Sequence, residues 1–315
     1  MSAILAITVA AIAALPLHTV GWPDPPLCLH VAINPKHDQL ATSTTVSDDI
    51  ILSHTGKGNL PPDYLEGHDG WVNYLHFSRD GTTLVSGSLD KTAILWDVIN
   101  KKSIRKFVGH KSTVNAVVLS HNGSLLFTAS RDKTVRVWDV ATGKSLATLE
   151  AHKGPVETLA LSPNGKFLAS GGEDRRVCIW DVAGRKLVTT LEIHSTCVRA
   201  MVFSPDSAVL FSVNSDAELA QTSVKDWKSK SIKLAGAAGP SSLAFSDDGA
   251  YLASGSTTRT LGVWRTKDGE LVASLDKLKA NVTAVAFDAA GAKLATGVGT
   301  DPVRVLELSQ LMKMK

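Results

Sequence analysis

The chain has 315 residues, of which 44% are hydrophobic and 20% charged, so it can bury a large core and is not of the disordered class. Its formal net charge of +3 is too small to indicate a nucleic-acid partner by itself. Cys28, Cys178 and Cys197 are odd in number and widely spaced, which favours neither a disulfide framework nor a zinc site and indicates a reducing compartment.

A run of apolar residues with one threonine covers positions 3–15. It is too short to cross a bilayer as a helix, so membrane insertion is not expected. No lysine or arginine precedes the run, which disfavours a secretory signal peptide. Its content of isoleucine and valine favours a β-strand, and a signal on an exported protein is the alternative.

Three types of residue recur every 42 residues along the chain. The histidines are His68, His110, His152 and His194, and the aspartates are Asp90, Asp132, Asp174 and Asp216. The tryptophans are Trp96, Trp138, Trp180 and, two intervals later, Trp264, with Thr222 in the intermediate position. Different residue types that all recur at the same interval indicate a repeat architecture.

The unit that begins at His68 contains four short segments rich in β-branched and aromatic residues, at 71–77, 83–88, 92–97 and 103–108. Turn residues separate these segments, which is typical of short antiparallel strands in an all-β fold. A sheet of four short strands is barely stable alone, so neighbouring units are expected to stack against each other.

The clearest units begin with two residues of which the second is histidine, and they end near a tryptophan-aspartate pair. These pairs are Gly67-His68 with Trp96-Asp97, Gly109-His110 with Trp138-Asp139, and Ala151-His152 with Trp180-Asp181. From about residue 24 to its end, the chain resembles the WD-repeat propeller family on these motifs. The resemblance implies radial blades around a central channel, and a binding platform rather than an enzyme.

Seven blades are predicted. Their repeats begin near residues 24, 68, 110, 152, 194, 236 and 278, and the first repeat is imperfect, with a longer spacing. The expected fold is therefore all-β, a seven-bladed β-propeller of four-stranded antiparallel blades in a single domain over residues 1–315.

The outer strand of the second blade is predicted at 103–108, so five intervals later the outer strand of the last blade would lie at 313–318. Because the sequence ends at Lys315, the last blade is expected to lack its own outer strand. An open ring would expose a sheet edge, so the N-terminal segment is expected to close the ring. Residues 1–23 are predicted to contain this closing strand and its lead-in. Positions 3–15 are the favoured strand, and 18–22 are the alternative.

Each clear blade also repeats a polar set. The sets are His68, Ser86, Asp90 and Trp96; His110, Thr128, Asp132 and Trp138; His152, Ser170, Asp174 and Trp180; and, without tryptophan, His194, Ser212 and Asp216. These residue types also occur in nucleophilic triads. An enzyme needs one such site rather than four at a fixed interval, and the resemblance implies a structural role. We therefore predict buried hydrogen-bond relays within the blades.

The core positions of the first strands break strand alternation, because a spacing of three separates Val72 from Leu75 and recurs in later blades. This spacing predicts a β-bulge. In propellers that this chain resembles, residues beside such a bulge and before the turn aspartate line the top face, which binds partners. The predicted partner-binding residues are Trp71, Asn73, Leu89, Asn115, Arg131, Glu157, Glu173 and Arg199. Trp71 beside Leu89 is the expected hot spot, and packing of Trp71 on the next blade is the alternative.

Two basic clusters fall on predicted outer strands. They consist of Lys101, Lys102, Arg105 and Lys106 in the second blade, and of Lys225, Lys228, Lys230 and Lys233 around Trp227 in the fifth. Lysines that protect a sheet edge from aggregation are the favoured interpretation, and contact with RNA or a ribosome is the alternative.

The sequence therefore predicts a non-catalytic scaffold that binds proteins or peptides on its top face as a subunit of a larger complex. The predicted compartment is the cytoplasm, with nuclear and organelle-associated complexes left open. An RNA- or ribosome-associated factor that uses the basic blade edges is the alternative function. No small-molecule substrate, cofactor or metal ion is predicted, since no phosphate-binding loop, HExxH motif or pair of cysteines occurs.

Overall fold

A computed structural model of the chain describes residues 18–19, 28–54, 61–234, 240–278, 280–288, 291–298 and 303–313. It contains seven antiparallel sheets of four strands each, so the predicted seven-bladed propeller is confirmed. Blades are numbered along the chain. In blades 1 to 6 the strands follow in sequence order from the inside of the ring to the outside.

The first strand, β1 (His18–Thr19), belongs to the last blade. Blade 1 contains β2 (Cys28–Ile33), β3 (Gln39–Thr44), β4 (Ile50–His54) and β5 (Asp63–Leu65). Blade 2 contains β6 (Val72–Phe77), β7 (Thr83–Ser88), β8 (Thr92–Asp97) and β9 (Lys102–Val108). Blade 3 contains β10 (Val114–Leu119), β11 (Leu125–Ser130), β12 (Thr134–Asp139) and β13 (Ser145–Glu150).

Blade 4 contains β14 (Val156–Leu161), β15 (Phe167–Gly172), β16 (Val177–Asp181) and β17 (Lys186–Leu191). Blade 5 contains β18 (Val198–Phe203), β19 (Val209–Asn214), β20 (Glu218–Ser223) and β21 (Ser229–Lys233). Blade 6 contains β22 (Pro240–Phe245), β23 (Tyr251–Ser256), β24 (Leu261–Arg265) and β25 (Leu271–Leu275). Blade 7 contains β26 (Val282–Phe287), β27 (Lys293–Val298) and β28 (Arg304–Glu307), followed by helix α1 (Leu308–Lys313).

The first strands of the blades surround the centre of the ring. Each contacts the first strand of the next blade, and β26 contacts β2. Strand β1 pairs antiparallel with β28 as the outer strand of blade 7, with His18 opposite Val305 and Thr19 opposite Arg304. Closure by an N-terminal strand is therefore confirmed, through the alternative segment that begins at residue 18. The favoured segment, 3–15, lies outside the described residues.

Apolar side chains fill the interfaces between neighbouring blades, with one cluster for each of the seven interfaces. Leu84 of blade 2 packs in the cluster with blade 1, whereas the adjacent Val85 packs in the cluster with blade 3. Strand alternation produces this division, because successive side chains point to opposite faces of a sheet. Each blade therefore depends on both neighbours to cover its apolar surface.

Candidate functional site

The bulge predicted in the first strands is present in all seven blades. In blades 2 to 5 the register shifts directly after Val72, Val114, Val156 and Val198. Blades 1, 6 and 7 show a shift at the corresponding place. We call this end of the ring the top face, defined by the starts of the first strands and by the turns between the second and third strands.

Backbone hydrogen bonds join the two kinds of segment on the top face. The amide of Leu89 donates to the carbonyl oxygen of Trp71 over 2.9 Å. The same bond recurs in the next three blades, from Arg131 to Thr113, from Glu173 to Pro155 and from Ser215 to Cys197. In blades 2 to 5, residues from two separate loops therefore lie side by side at the top face.

In blades 1 and 2 the top face has exposed apolar side chains, although the turn of blade 1 also contains Asp48 and Asp49. Trp71 is 43% exposed and Leu89 is 40% exposed. On the corresponding turn of blade 1, Val46 is 72% exposed, and the sequence analysis missed it. Thr44 pairs with Cys28 as Ser88 pairs with Val72, so Val46, two residues after Thr44, corresponds to Asp90 of blade 2. The longer turn of blade 1 hides this correspondence in the sequence. We call Val46, Trp71 and Leu89 the apolar patch.

The part in blades 3 to 5 is charged. Glu157 lies between two arginines, with its carboxylate oxygens 3.7 Å from Arg131 Nη1 and 3.6 Å from Arg199 Nη1. Arg131 also contacts Glu173 at 3.3 Å, and Asn115 Nδ2 donates to Glu157 Oε1 over 3.0 Å. The Glu157 side chain is only 14% exposed, and its burial raises the pKa of the carboxyl group. We call Arg131, Glu157, Glu173 and Arg199 the charged patch.

The predicted partner-binding residues thus lie at one end of the ring and divide into two patches. Asn73 is half-buried in β6, next to the apolar patch, and Asn115 supports the charged patch through Glu157. Glu157 faces two arginines rather than solvent, which spacing along the chain does not indicate. Binding of a partner by these residues stays a prediction.

Blades 2 to 4 bring each predicted polar set into hydrogen-bond contact. In blade 3, His110 Nδ1 is 2.8 Å from Asp132 Oδ2, and His110 Nε2 is 2.7 Å from Thr128 Oγ1. Trp138 Nε1 donates to the same Thr128 oxygen over 2.8 Å. The same contacts join His68, Asp90, Ser86 and Trp96 in blade 2, and His152, Asp174, Ser170 and Trp180 in blade 4. In blade 3, where burial lowers the pKa of His110, a neutral histidine satisfies every group if Nδ1 donates to the carboxylate and Nε2 accepts from the hydroxyl.

The hydroxyl groups of these sets are inaccessible to a substrate. Ser86, Thr128 and Ser170 are completely buried, and each oxygen already bonds a histidine and an indole. A catalytic nucleophile must reach the atom that it attacks, so the geometry supports a structural role for these groups. Their contribution to stability stays a prediction.

The turn aspartates of these blades are negatively charged at neutral pH. Burial raises the pKa of Asp132, but hydrogen bonds from Thr134, from the Lys111 amide and from His110 outweigh burial and lower the pKa to about 2. The pKa values of Asp90 and Asp174 are lowered as well, because hydrogen bonds again outweigh burial. A charged acceptor strengthens the bond from the histidine.

The relay predicted in blade 5 is incomplete, which corrects the prediction for Asp216. His194 Nε2 is 2.7 Å from Ser212 Oγ. Among the described residues, however, His194 Nδ1 has no hydrogen-bond partner, and Asp216 is exposed. Burial lowers the pKa of His194 to about 4, against a smaller opposing effect of Glu218.

Two residues of blade 5 explain why Asp216 leaves the relay. Asn214 Oδ1 accepts hydrogen bonds from the amides of Asp216 and Glu218, at 3.0 and 2.9 Å. The first bond has a counterpart in blade 3, where Ser130 Oγ accepts from the Asp132 amide, but the second replaces the bond that Asp132 Oδ1 accepts from the Thr134 amide. Glu218 also occupies the position of Thr134, whose hydroxyl donates to Asp132 in blade 3. Blade 4 also lacks that hydroxyl, with Arg176 at this position, and its Asp174 still bonds His152. The difference in blade 5 is the second carboxylate, Glu218, which disfavours a charged aspartate at the buried position.

The two basic clusters lie on or beside the outer strands β9 and β21. Lys101 Nζ contacts Asp63 at 2.8 Å, and Lys106 Nζ contacts Asp69 at 3.4 Å. Trp227 is only partly exposed among the lysines of blade 5, because it packs edge-to-face on Phe167 with ring centroids 5.3 Å apart.

Two other kinds of site are absent from the ranges that the structure describes. No helix in those ranges has the length and apolar character needed to cross a membrane. No three His, Cys, Asp or Glu side chains in them are grouped as ligands of a metal ion. Cys178 and Cys197 are free thiols.

Comparison with known proteins relates most of the ring to a family. The model of the family described as WD domain, G-beta repeat matches residues 61–97, 101–139, 143–181, 185–219 and 229–265, which is more than half of the chain. The chain is also similar to the Periodic tryptophan protein 2 homologs of Neurospora crassa, 38% identical over 71 residues, and of Schizosaccharomyces pombe, 32% identical over 74 residues. WD repeat-containing protein 18 of Danio rerio is 40% identical over 62 residues.

These similarities to single proteins are short. They cover 22%, 24% and 20% of this chain and 8%, 8% and 14% of the three relatives, in the order given. The chain therefore spans a small part of each relative's length. The family, by contrast, rests on five matched repeats and on the seven four-stranded blades. The chain belongs to the WD-repeat family of β-propellers.

Proposed function

We propose that this protein is a non-catalytic scaffold that binds a partner protein or peptide on its top face, as a subunit of a larger complex. The observation that carries the proposal is the apolar patch beside the charged patch. Trp71, Leu89 and Val46 are large side chains that are at least 40% exposed at one end of the ring. Exposed aromatic and apolar residues next to charged ones are typical of the centre and rim of a protein interface.

The charged patch indicates the chemistry of the partner. Arg131 and Arg199 share Glu157, so the partly exposed guanidinium groups retain donors for an additional acceptor. A peptide that places an apolar side chain on the Trp71 side and a carboxylate on the arginine side would match both patches. The free thiols of Cys178 and Cys197 suit a reducing compartment, and we propose the cytoplasm.

The test is affinity capture with the full chain, followed by mass spectrometry, with and without ribonuclease. We expect Trp71→Ala to lose specific partner proteins that the unaltered chain retains. The matched control is the double variant Lys228→Glu, Lys230→Glu on the basic edge of blade 5, which should retain those proteins. If association ignores Trp71, disappears with ribonuclease, weakens in the lysine variant and falls steeply as salt rises for the unaltered chain, the protein binds RNA and the proposal is wrong.

A further inference from the structure

Two carboxylates lie where the top-face turn of blade 5 leads into β20. Asp216 is exposed in the turn, and Glu218 is the first residue of β20. Glu218 Oε2 accepts hydrogen bonds from Ser195 Oγ at 2.9 Å and from Asn214 Nδ2 at 3.0 Å. Both donors are neutral, and among the described residues neither carboxylate makes an ion pair with a basic side chain. We call Asp216 and Glu218 the acidic pair.

Two basic residues approach the acidic pair without neutralising it. Lys233 lies opposite Glu218 on β21, but within the part of the chain that the structure describes it makes no ion pair. Arg199 reaches the same turn, where its Nε donates to Ser215 Oγ over 3.0 Å, and its Nη1 is 3.6 Å from Glu157 of the charged patch. The acidic pair therefore retains its negative charge for a group from outside the chain.

A buried histidine without a full set of partners faces the acidic pair. In blades 2 to 4 the corresponding histidine bonds the turn aspartate through Nδ1. His194 is only 8% exposed, and its Nδ1 has no hydrogen-bond partner among the described residues. Glu218 is near enough to raise the pKa of His194, against the larger effect of burial, which places the carboxylate beside the ring. A group that bonded this nitrogen would satisfy a buried polar atom.

The imidazole of His194 can accept a hydrogen bond at Nδ1. Burial lowers its pKa to about 4, so the ring is neutral at neutral pH and one of its nitrogens has a lone pair. In blades 2 to 4 an indole donates to the hydroxyl of the relay, whereas blade 5 has Thr222 in place of the tryptophan. Ser212 Oγ therefore has no indole donor and can accept from His194 Nε2, which leaves Nδ1 as the acceptor.

The groups around this turn are acceptors that suit a positively charged donor. The acidic pair supplies two carboxylates, and His194 supplies a ring nitrogen. Thr196 Oγ1 is a further buried oxygen that has no hydrogen-bond partner in the described ranges. Such a set repels an anion and attracts a cation. Lysine and arginine side chains combine a positive charge with several N–H donors on one group, so they match both the charge and the acceptors.

We propose that the top-face turn of blade 5 binds a basic side chain of the partner protein, whose positive group lies between Asp216 and Glu218 and donates to His194 Nδ1. This nitrogen is shielded from solvent, so Glu218 leaves its two neutral donors to admit the cation. The turn adjoins the charged patch through the bond from Arg199 to Ser215. The inference therefore rests on the proposed function and adds a basic residue to the chemistry of the partner.

The probes are butylguanidinium and butylammonium, which represent arginine and lysine, with the neutral butylurea as the matched control. Each is titrated into the full chain, and the amide chemical shifts are followed by NMR. We expect saturable shifts at residues 194–196 and 215–218 with the two cations and none with butylurea. The cation that binds more tightly identifies the side chain of the partner. The nitrogen chemical shifts of His194 should show an unprotonated Nδ1 in the complex.

Substitutions of the acidic pair test its role in binding. Glu218→Gln should weaken binding of the tighter cation about tenfold or more, because the amide has no negative charge. Asp216→Asn changes an exposed residue and should weaken binding as well. The matched control is Glu150→Gln on β13, which removes the same charge from an exposed residue of blade 3 and should leave binding unchanged. Lys233→Met should bind at least as tightly, since it removes a competing cation. Thermal unfolding checks that each variant is folded.

Three results with the probes would overturn the proposal. They are equal binding of butylurea, equal affinity in Glu218→Gln and Glu150→Gln, and a protonated His194 Nδ1 in the complex. The probes need no partner protein, so their failure is distinct from failure of the proposed function, which affinity capture with Trp71→Ala tests. In that capture, Glu218→Gln should lose proteins that depend on Trp71, and retention of all of them would also overturn the proposal.

Discussion

Blades 3 and 5 have the same repeat spacing but different hydrogen bonds. In blade 3, His110 bonds both Asp132 and Thr128, whereas in blade 5 His194 bonds, among the described residues, Ser212 alone. Both blades nevertheless have four strands, the same bulge and the same place in the ring. The spacing of the repeat therefore predicts the fold of a blade. It does not predict a hydrogen-bond relay, which forms only when the histidine, the aspartate and the hydroxyl residue all bond each other.

Apolar packing explains how blade 5 retains its place without a complete relay. Leu210 and Met201 pack in the cluster with blade 4, and Leu219 and Leu234 pack in the cluster with blade 6. Burial of such side chains contributes more free energy of folding than one hydrogen bond. We infer that interblade packing holds the ring together and that the relays add to the stability of individual blades.

The largest difference between the two blades is expected at the indole position. Trp138 is 2% exposed and packs on Phe107, so Trp138→Ala should lower the free energy of unfolding by about 3–5 kcal/mol. In blade 5 the corresponding residue is Thr222, which bonds Ser229 Oγ over 2.8 Å, and Thr222→Ala should cost about 1 kcal/mol. Urea unfolding of both variants measures the costs. Equal costs would contradict the comparison.

The second effect is a dependence of stability on pH that arises in blade 5. Burial lowers the pKa of His194 from 6.5 to about 4, so between those values the unfolded chain binds a proton that the folded chain does not. Stability therefore falls as pH decreases from about 6.5 to about 4, by on the order of 3 kcal/mol from this residue. His194→Gln should reduce the slope of unfolding free energy against pH. Burial also lowers the pKa values of His30 and His76 to about 4, so part of the slope should persist.

The third difference concerns the turn aspartates. Asp132→Ala leaves a buried His110 nitrogen without its partner, so it should cost about 1–3 kcal/mol. Asp216 is exposed and does not bond His194, so Asp216→Ala should cost less than about 0.5 kcal/mol. Denaturation midpoints of the two variants decide the matter. A cost for Asp216→Ala as large as that for Asp132→Ala would show that blade 5 has a relay after all.

The smallest difference is expected at the residue that supports the aspartate. Thr134 Oγ1 donates to Asp132 Oδ1 over 2.6 Å, and Thr134→Val should cost about 1 kcal/mol. Blade 4 has Arg176 at this position, whose side chain pairs with the exposed Glu192 instead of Asp174. Arg176→Ala should therefore cost less than about 0.5 kcal/mol. Thermal unfolding of both variants compares the two, and a greater loss for Arg176→Ala would refute the ranking.

Most of the fold was predictable because each blade repeats the same local pattern. The predicted segments 83–88 and 92–97 coincide with β7 and β8, and the spacing of three in the first strand correctly predicted the bulge. Strand alternation and turn residues are patterns that extend over only a few neighbouring positions, so they can be recognised in the sequence. The closing strand was harder to place, because its partner β28 lies at the other end of the chain.

The candidate site was only partly predictable. The top-face positions followed from the repeat, yet Val46 was missed because its turn is longer than those of the other blades. The burial of Glu157 between Arg131 and Arg199 involves residues of three blades, and no spacing within one repeat predicts it. Asp216 matched its column and still lies outside a relay, since Asn214 and Glu218 had changed around it.

By itself, the sequence determined the number of blades, their strands, the bulges and the positions that could face a partner, because these depend on local periodicity. Tertiary structure decided which of the repeated polar residues bond each other, which arginines share a carboxylate, and which valines remain exposed. A hydrogen bond or an ion pair requires atoms from separate strands or blades to come within about 3–4 Å. That distance depends on how the blades stack, and the residue at a given position in the repeat does not specify it.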